Sequence, residues 1–410
     1  MSSFGYDRFE NRLKEYKKIY LNKLIKLVSV NKCSCNYHFN SSDEYINFTD
    51  KFLYLLKNNM LIFDEIFDIL INVYDIFITK SYKHAADYFW NTISIFNLMG
   101  RSEIPMSYSH LLYRARKIGD YSKITDFFHI PFDRRELVVN NRFSISGQPM
   151  IYFGNSIMTL TKELDLDVDN LSIAAFLPKY SIYYPLNINE VENSIFSIFV
   201  NSLPALFNAG SNIKFNEKLY IIEMRRTIFC ELLTFPCKIK GTFVEEYVLP
   251  QLFTSLLIDN NYKGVIFPST KNFSEITNYH RFSKYNKNLA LFIDYNENDN
   301  YDLKLLNTFY YFVLDGSEKF EYTTNDIIQI FEKVINLHKK FSESVNNNDY
   351  ILPIVNSKLY IEYLEEPKIN GINYFKTKEG RIELEFFYKL ADKLFILIAE
   401  NIKRATGIDP

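Results

Sequence analysis

Hydrophobic residues recur at helical spacing through the first hundred positions of the chain. Apolar side chains return every three or four residues over residues 9–24, 42–58, 62–80 and 85–98. This period places them on one face of a helix. Pro105 is the first proline, so no proline interrupts the pattern before it. The pattern predicts an all-helical N-terminal module over residues 1–100.

The pattern changes at Arg101 to Pro105, where short apolar runs begin to alternate with glycine, proline and asparagine. This alternation is typical of mixed α/β structure with short strands. The expected elements are strands from Leu112, at Met150–Phe153, at Gly264–Pro268 and at Asn288–Tyr295, and helices at Ser156–Glu163, Thr324–Ser342 and Ile382–Arg404. The chain is therefore predicted to be α+β, with a central domain over residues 105–300 and a mostly helical C-terminal extension over residues 301–410.

Composition narrows the classes of function. Hydrophobic residues make up 47% and charged residues 23%, which is the balance of a globular chain. The net charge of −2 disfavours wholesale nucleic-acid binding, which needs clustered lysine and arginine. Four cysteines in 410 residues do not make a disulfide framework. With no visible signal peptide or membrane span, the expected location is the cytoplasm.

Metal and nucleotide motifs are sparse in the sequence. Cys33, Cys35 and His38 could ligate zinc, but a fourth ligand is missing nearby, and Cys230 with Cys237 would complete a site only if the N-terminal module folded back on the core. No His-Glu-x-x-His pair, Gly-x-Gly-x-x-Gly fingerprint or P-loop occurs. No metal and no resident cofactor are therefore predicted.

Four stretches of the central domain occur in an informative order. The first is 112–116, which delivers Arg114 and Arg116 after an apolar start; the second is 141–153, with an Arg-Phe-Ser run and a strand containing Tyr152. The third stretch, 156–163, ends at Glu163, eleven residues after Tyr152. The fourth stretch, 262–271, has the order Gly-apolar-x-aromatic-Pro-Ser and contains Ser269.

Together these stretches resemble the RES-domain family, which is named for its arginine, glutamate and serine. The resemblance covers roughly residues 105–300. It implies a split β-sheet similar to that of ADP-ribosyltransferase toxins and cleavage of NAD at the nicotinamide–ribose bond. Arg114, Glu163, Ser269 and Tyr152 would then be catalytic. Arg142, Ser144 and Tyr113 would contact NAD, which is substrate rather than cofactor.

The residue types suit that chemistry. The planar guanidinium of Arg114 matches a phosphate oxygen pair, with Arg142 and Arg116 as helpers. The carboxylate of Glu163 can stabilise positive charge developing on the ribose and hold its 2′-hydroxyl. Tyr152 can stack on nicotinamide. Ser269 can donate to a phosphate or to a ribose hydroxyl.

Three functions remain open, of which the first two follow from the resemblance. The first is an NAD glycohydrolase or phosphorylase acting as a toxin in growth arrest or antiphage defence. The second is a protein ADP-ribosyltransferase, and the third is a catalytically inactive scaffold that binds NAD. A homodimer is expected because the apolar faces of the helices need burial. An antitoxin or regulatory protein is the other expected partner, whereas no nucleic acid and no membrane are expected.

Overall fold

The structure is a computed structural model, and it describes fourteen ranges of the chain. These are residues 8–28, 53–99, 111–121, 123–178, 186–187, 217–237, 243–271, 287–314, 322–341, 357–358, 360–361, 364, 368–369 and 372–407. The expected helix over residues 42–58 lies mostly outside them. The motif of Cys33, Cys35 and His38 lies wholly outside them.

The chain forms two compact units. The helical unit consists of Met1–Ser102, Asn140–Ile145 and Ile188–Asn261, and the sheet unit consists of Glu103–Val139, Ser146–Asn187 and Tyr262–Pro410. This division differs from the expected sequence of module, central domain and extension. Residues 188–261 group with the N-terminal helices, while residues 301–410 group with the sheet instead of forming a separate extension.

In the helical unit, the described elements of regular structure are all helices. The α-helices with described bounds are α1 (Phe9–Val28), α2 (Met60–Thr79), α3 (Tyr82–Phe96), α5 (Glu217–Leu233) and α6 (Val248–Asp259), and residues 53–58 are also helical. The three N-terminal helices confirm the expected pattern. Charged groups are also buried here: Arg12 forms a 2.6 Å ion pair with Glu246. Burial raises the pKa of Glu231, which accepts a hydrogen bond from Tyr16, to about 7.

The sheet unit is built on seven strands in the order β4–β5–β6–β2–β1–β3–β7. The strands are β1 (Leu112–Lys117), β2 (Met150–Gly154), β3 (Leu171–Pro178), β4 (Leu186–Asn187), β5 (Gly264–Pro268), β6 (Lys287–Phe292) and β7 (Phe309–Val313). All neighbours are antiparallel except β4 and β5. The α-helices with described bounds are α4 (Ile157–Leu164), α7 (Leu303–Asn307), α8 (Thr324–Phe341) and α9 (Lys378–Thr406). The predicted α+β class is confirmed.

The seven-stranded sheet is split between its central strand, β2, and the neighbouring strand β1. β1 pairs with β3 along its whole length, and β2 pairs in the same way with β6. Between β1 and β2, however, the pairing consists of Tyr113 opposite Gly154. The sheet therefore has two halves, β4–β5–β6–β2 and β1–β3–β7, joined at that single pair. A split leaves backbone groups on the facing edges of β1 and β2 that the ladder does not satisfy.

Each face of the sheet carries its own hydrophobic core, because strand side chains alternate between the faces. On one face, Tyr113 and Ala175 pack with α4, α8 and α9. On the other face, Leu112, Phe153 and Phe176 pack with residues of α7 and of the 124–128 segment. α9 is thus integral to the core of this unit, which explains why its apolar stripe was visible in the sequence.

The C-terminal helix also anchors α4. Ser156 caps α4, accepting a hydrogen bond from Thr159 N at 3.1 Å. The fully buried Glu383 of α9 accepts from Ile157 N at 2.6 Å and from Tyr374 Oη at 2.5 Å. A carboxylate at this point satisfies an amide that the helix leaves unpaired and complements the positive end of the helix dipole.

Replacing Glu383 by alanine is expected to lower the free energy of unfolding by about 3 kcal/mol, because it removes the carboxylate that accepts from a buried amide and from a buried phenol. Urea denaturation of the full chain measures this. Glu400→Ala is the matched control on the same helix, since it removes an exposed pair with Arg404 that is expected to contribute under about 0.5 kcal/mol. Equal costs for the two variants would contradict the anchoring role.

Candidate active site

Glu163 lies near the end of α4, at a half-buried position. Its carboxylate accepts two hydrogen bonds, from Ser269 Oγ at 2.5 Å and from Asn288 Nδ2 at 2.7 Å. Both donors bind the same oxygen, Oε1. The structure therefore brings together Glu163 and Ser269, which are 106 residues apart in the sequence.

Ser269 directly follows β5, and the residues before it explain its position. β5 begins at Gly264, where a Cβ would lie 2.4 Å from the carbonyl oxygen of Ala290 in β6, so only glycine allows the strands to approach this closely. The strand ends at Pro268, and Ser269 is buried beside it. Its Oγ accepts from Lys271 N at 3.2 Å while it donates to Glu163.

Asn288 was missed as a site residue, since the sequence marked it only as the start of a strand. It lies in β6 opposite Phe267 of β5 and Gly154 of β2, and its side chain is buried. The signal available was a polar residue at the start of an apolar strand, directly before Leu-Ala-Leu-Phe. Buried amides are expected to have hydrogen-bond partners, so such a residue predicts a polar neighbour.

Arg114 lies at the split. It follows Tyr113, the β1 residue that pairs with β2, and its Nη1 donates to the carbonyl oxygen of Tyr152 at 3.0 Å. Its Nε is buried with no hydrogen-bond partner among the described residues. Burial, and then the charge of Arg116, lower the pKa of Arg114. A buried guanidinium with an unsatisfied N–H and a like charge nearby is a candidate site for an anion.

Arg116 has protein partners. Its Nε donates to the carbonyl oxygen of Asp126, and its Nη2 lies 3.5 Å from that of Phe128. Strand alternation puts its side chain on the same face as that of Arg114. Arg116 thus holds the 126–128 segment against the sheet and adds positive potential beside Arg114.

The two predicted tyrosines differ in their surroundings. Tyr152 is half-buried in β2, opposite Ala290, so its side chain is on the same face of the sheet as Asn288. Tyr113 is fully buried, and its ring lies 5.6 Å from that of Phe386 in α9. The ring of Tyr113 therefore has a packing role in the core, and its contact with NAD stays a prediction.

Arg142 and Ser144 belong to the helical unit. The buried guanidinium of Arg142 donates to Leu233 O and to Cys237 Sγ, each at 3.2 Å. The carbonyl oxygen of Ser144 accepts from Gln251 Nε2 at 3.0 Å. Both residues thus anchor the 140–145 segment to helices of their own unit, and their contact with NAD stays a prediction.

Residues able to hold a metal do not gather in the part of the chain that the structure describes: no group of three or more histidine, cysteine, aspartate or glutamate side chains has suitable geometry there. Within the same ranges, no helix combines the length and the apolar character needed to cross a bilayer. The candidate site has two parts: the Glu163 carboxylate with its two donors on the α4 face of the sheet, and the buried guanidinium of Arg114 at the split, which strand alternation assigns to the opposite face. The row Asn288–Gly154–Tyr113 spans β6, β2 and β1, so its ends are roughly 10 Å apart.

Comparison with known proteins finds a distant relative. The chain is 28% identical over 167 residues to a Bacillus subtilis (strain 168) protein described as "Putative toxin YopC". The match covers 39% of this chain and 36% of the relative, so the chain spans about a third of the length of that protein. No family model matches the sequence. No solved structure matches it either.

Proposed function

We propose that this chain is a toxin that cleaves NAD at its nicotinamide–ribose bond. The observation that carries the proposal is the Glu163 carboxylate, which Ser269 and Asn288 hold on one oxygen. The similarity to a protein described as a toxin supports the biological role. The arginine–glutamate–serine set and the split sheet support the resemblance to RES domains and to the ADP-ribosyltransferase fold.

In the proposed complex, NAD lies in the split between β1 and β2. Its pyrophosphate meets Arg114, whose unsatisfied Nε gains an acceptor. The ribose attached to nicotinamide meets Glu163, whose negative charge stabilises the oxocarbenium character that develops as the bond breaks. Nicotinamide leaves as a neutral molecule because the bond electrons neutralise its ring nitrogen, so no general acid is required.

The acceptor of the ADP-ribosyl group is water or inorganic phosphate in this proposal. Transfer to a protein and binding without turnover are the competing outcomes of the same assay. A toxin of this kind requires restraint in the cell that makes it, so an antitoxin or regulatory protein belongs to the proposal. The homodimer remains an expectation.

The proposal is tested by incubating purified full-length protein with NAD in buffers with and without phosphate. Proton NMR and mass spectrometry are expected to show free nicotinamide, with ADP-ribose in the absence of phosphate. Intact NAD after incubation with stoichiometric protein in both buffers would overturn the proposal. Nicotinamide release accompanied by mass adducts on added lysate proteins, with little free ADP-ribose, would replace it by protein ADP-ribosylation.

A further inference from the structure

Both hydrogen bonds that the described residues make to the Glu163 carboxylate go to one oxygen. Ser269, which follows β5, and Asn288 of β6 approach Oε1 from two neighbouring strands of the sheet. A carboxylate has about four lone-pair sites on two oxygens, so two donors on one oxygen fix its rotation and leave the other oxygen available. This asymmetry defines which oxygen can face a substrate.

The hydrogen bonds of the Ser269 hydroxyl support the same conclusion. A hydroxyl has a single proton, and that of Ser269 is directed to Glu163 at 2.5 Å while Lys271 N donates to its oxygen at 3.2 Å. A hydroxyl engaged in this way does not donate to a phosphate or to a ribose. Ser269 therefore acts on Glu163, which differs from the substrate contact expected from the sequence.

Asn288 is placed rigidly enough to orient its partner. Its backbone belongs to β6, which is hydrogen-bonded to β2 on one side and to β5 on the other, and its side chain is buried. The amide has no charge, so it holds Glu163 without neutralising it.

We propose that Asn288 is a positioning residue which, together with Ser269, holds Oε1 of Glu163 so that Oε2 faces the ribose of the substrate. The proposal rests on the proposed function for its kinetic consequence only. The hydrogen bond itself can be tested without NAD.

The kinetic arm compares Asn288→Ala with the wild-type protein. The kcat for nicotinamide release is expected to fall about 10- to 100-fold, with KM within about threefold, because a misplaced carboxylate impairs the transition state more than binding. Asn155→Ala is the matched control, since it removes an asparagine that accepts from the neighbouring Lys287 N at 2.9 Å and does not contact Glu163. Wild-type kcat in Asn288→Ala would overturn the proposal.

The second arm uses Asn288→Asp, which replaces the amide by a carboxylate of the same shape beside Glu163. Two carboxylates at this distance share a proton, so the pKa of the pair rises in the folded state. In the plot of kcat against pH, the fall on the acid side is expected to move to higher pH by about one unit or more. If Asn288 had only a packing role, the pH at which kcat falls on the acid side would not change. An unchanged value would therefore overturn the proposal.

The same variant gives a readout that does not need NAD. A raised folded-state pKa means that the folded protein binds more protons than the unfolded chain, so stability is lost as pH rises through that pKa. The Tm of Asn288→Asp is expected to be lower than that of the wild-type protein. This difference is expected to be larger at pH 8 than at pH 5 by about 3 °C or more. Adding Glu163→Gln is expected to remove this pH dependence. The same Tm difference at both pH values would overturn the proposed role of the Asn288–Glu163 contact. This result does not depend on activity toward NAD, so failure of the positioning proposal can be distinguished from failure of the proposed function.

Discussion

Replacing Glu163 by glutamine is expected to lower the kcat for nicotinamide release by about 100- to 1,000-fold. The substitution keeps the shape of the side chain, and the amide oxygen can still accept from Ser269 and Asn288. What is lost is the negative charge that stabilises the ribose as the bond breaks. The expected signature is therefore a fall in kcat with little change in NAD affinity, measured by single-turnover kinetics and by calorimetry.

The control for this variant is Glu332→Gln, an exposed position on α8. It removes the same charge from the same unit, so any effect of net charge on NAD binding would appear in both variants. Circular dichroism and Tm establish that Glu163→Gln remains folded. A Glu163→Gln protein that is folded and as active as the wild type would exclude Glu163 from the chemistry.

Replacing Arg114 by methionine is expected to weaken NAD binding by roughly 100-fold or more, since charge-assisted hydrogen bonds to phosphate contribute about 1.5–3 kcal/mol each. The same change is expected to leave the Tm unchanged or higher. Burial and the neighbouring Arg116 lower the pKa of Arg114, which means that the folded protein without a ligand holds this charge at a cost. An apolar side chain of similar length removes that cost.

Calorimetry in the Glu163→Gln background measures this affinity without turnover. Arg134→Met is the matched control, because Arg134 is exposed in the same unit. Loss of affinity together with loss of several degrees of Tm would indicate that Arg114 is a structural residue. Unchanged affinity would remove Arg114 from the NAD site.

Local sequence patterns predicted most of the elements that carry the site. β5 occupies the predicted residues Gly264–Pro268, and α4 begins one residue after the predicted Ser156, which is its cap. These predictions worked because glycine, proline and capping residues act through their own backbone geometry. The grouping of residues 188–261 with the N-terminal helices was not predicted, because it depends on which apolar faces meet and not on local preference.

The sequence by itself determined the α+β class, the strands and helix that carry Arg114, Glu163 and Ser269, and the glycine that lets β5 approach β6. Only the tertiary structure decided which groups these residues face. Asn288 donates to a glutamate 125 residues away, and Glu383 accepts from an amide 226 residues away. Such partners follow from strand register and helix packing, which join distant segments. A local pattern can indicate that a buried polar residue needs a partner, but it does not identify that partner.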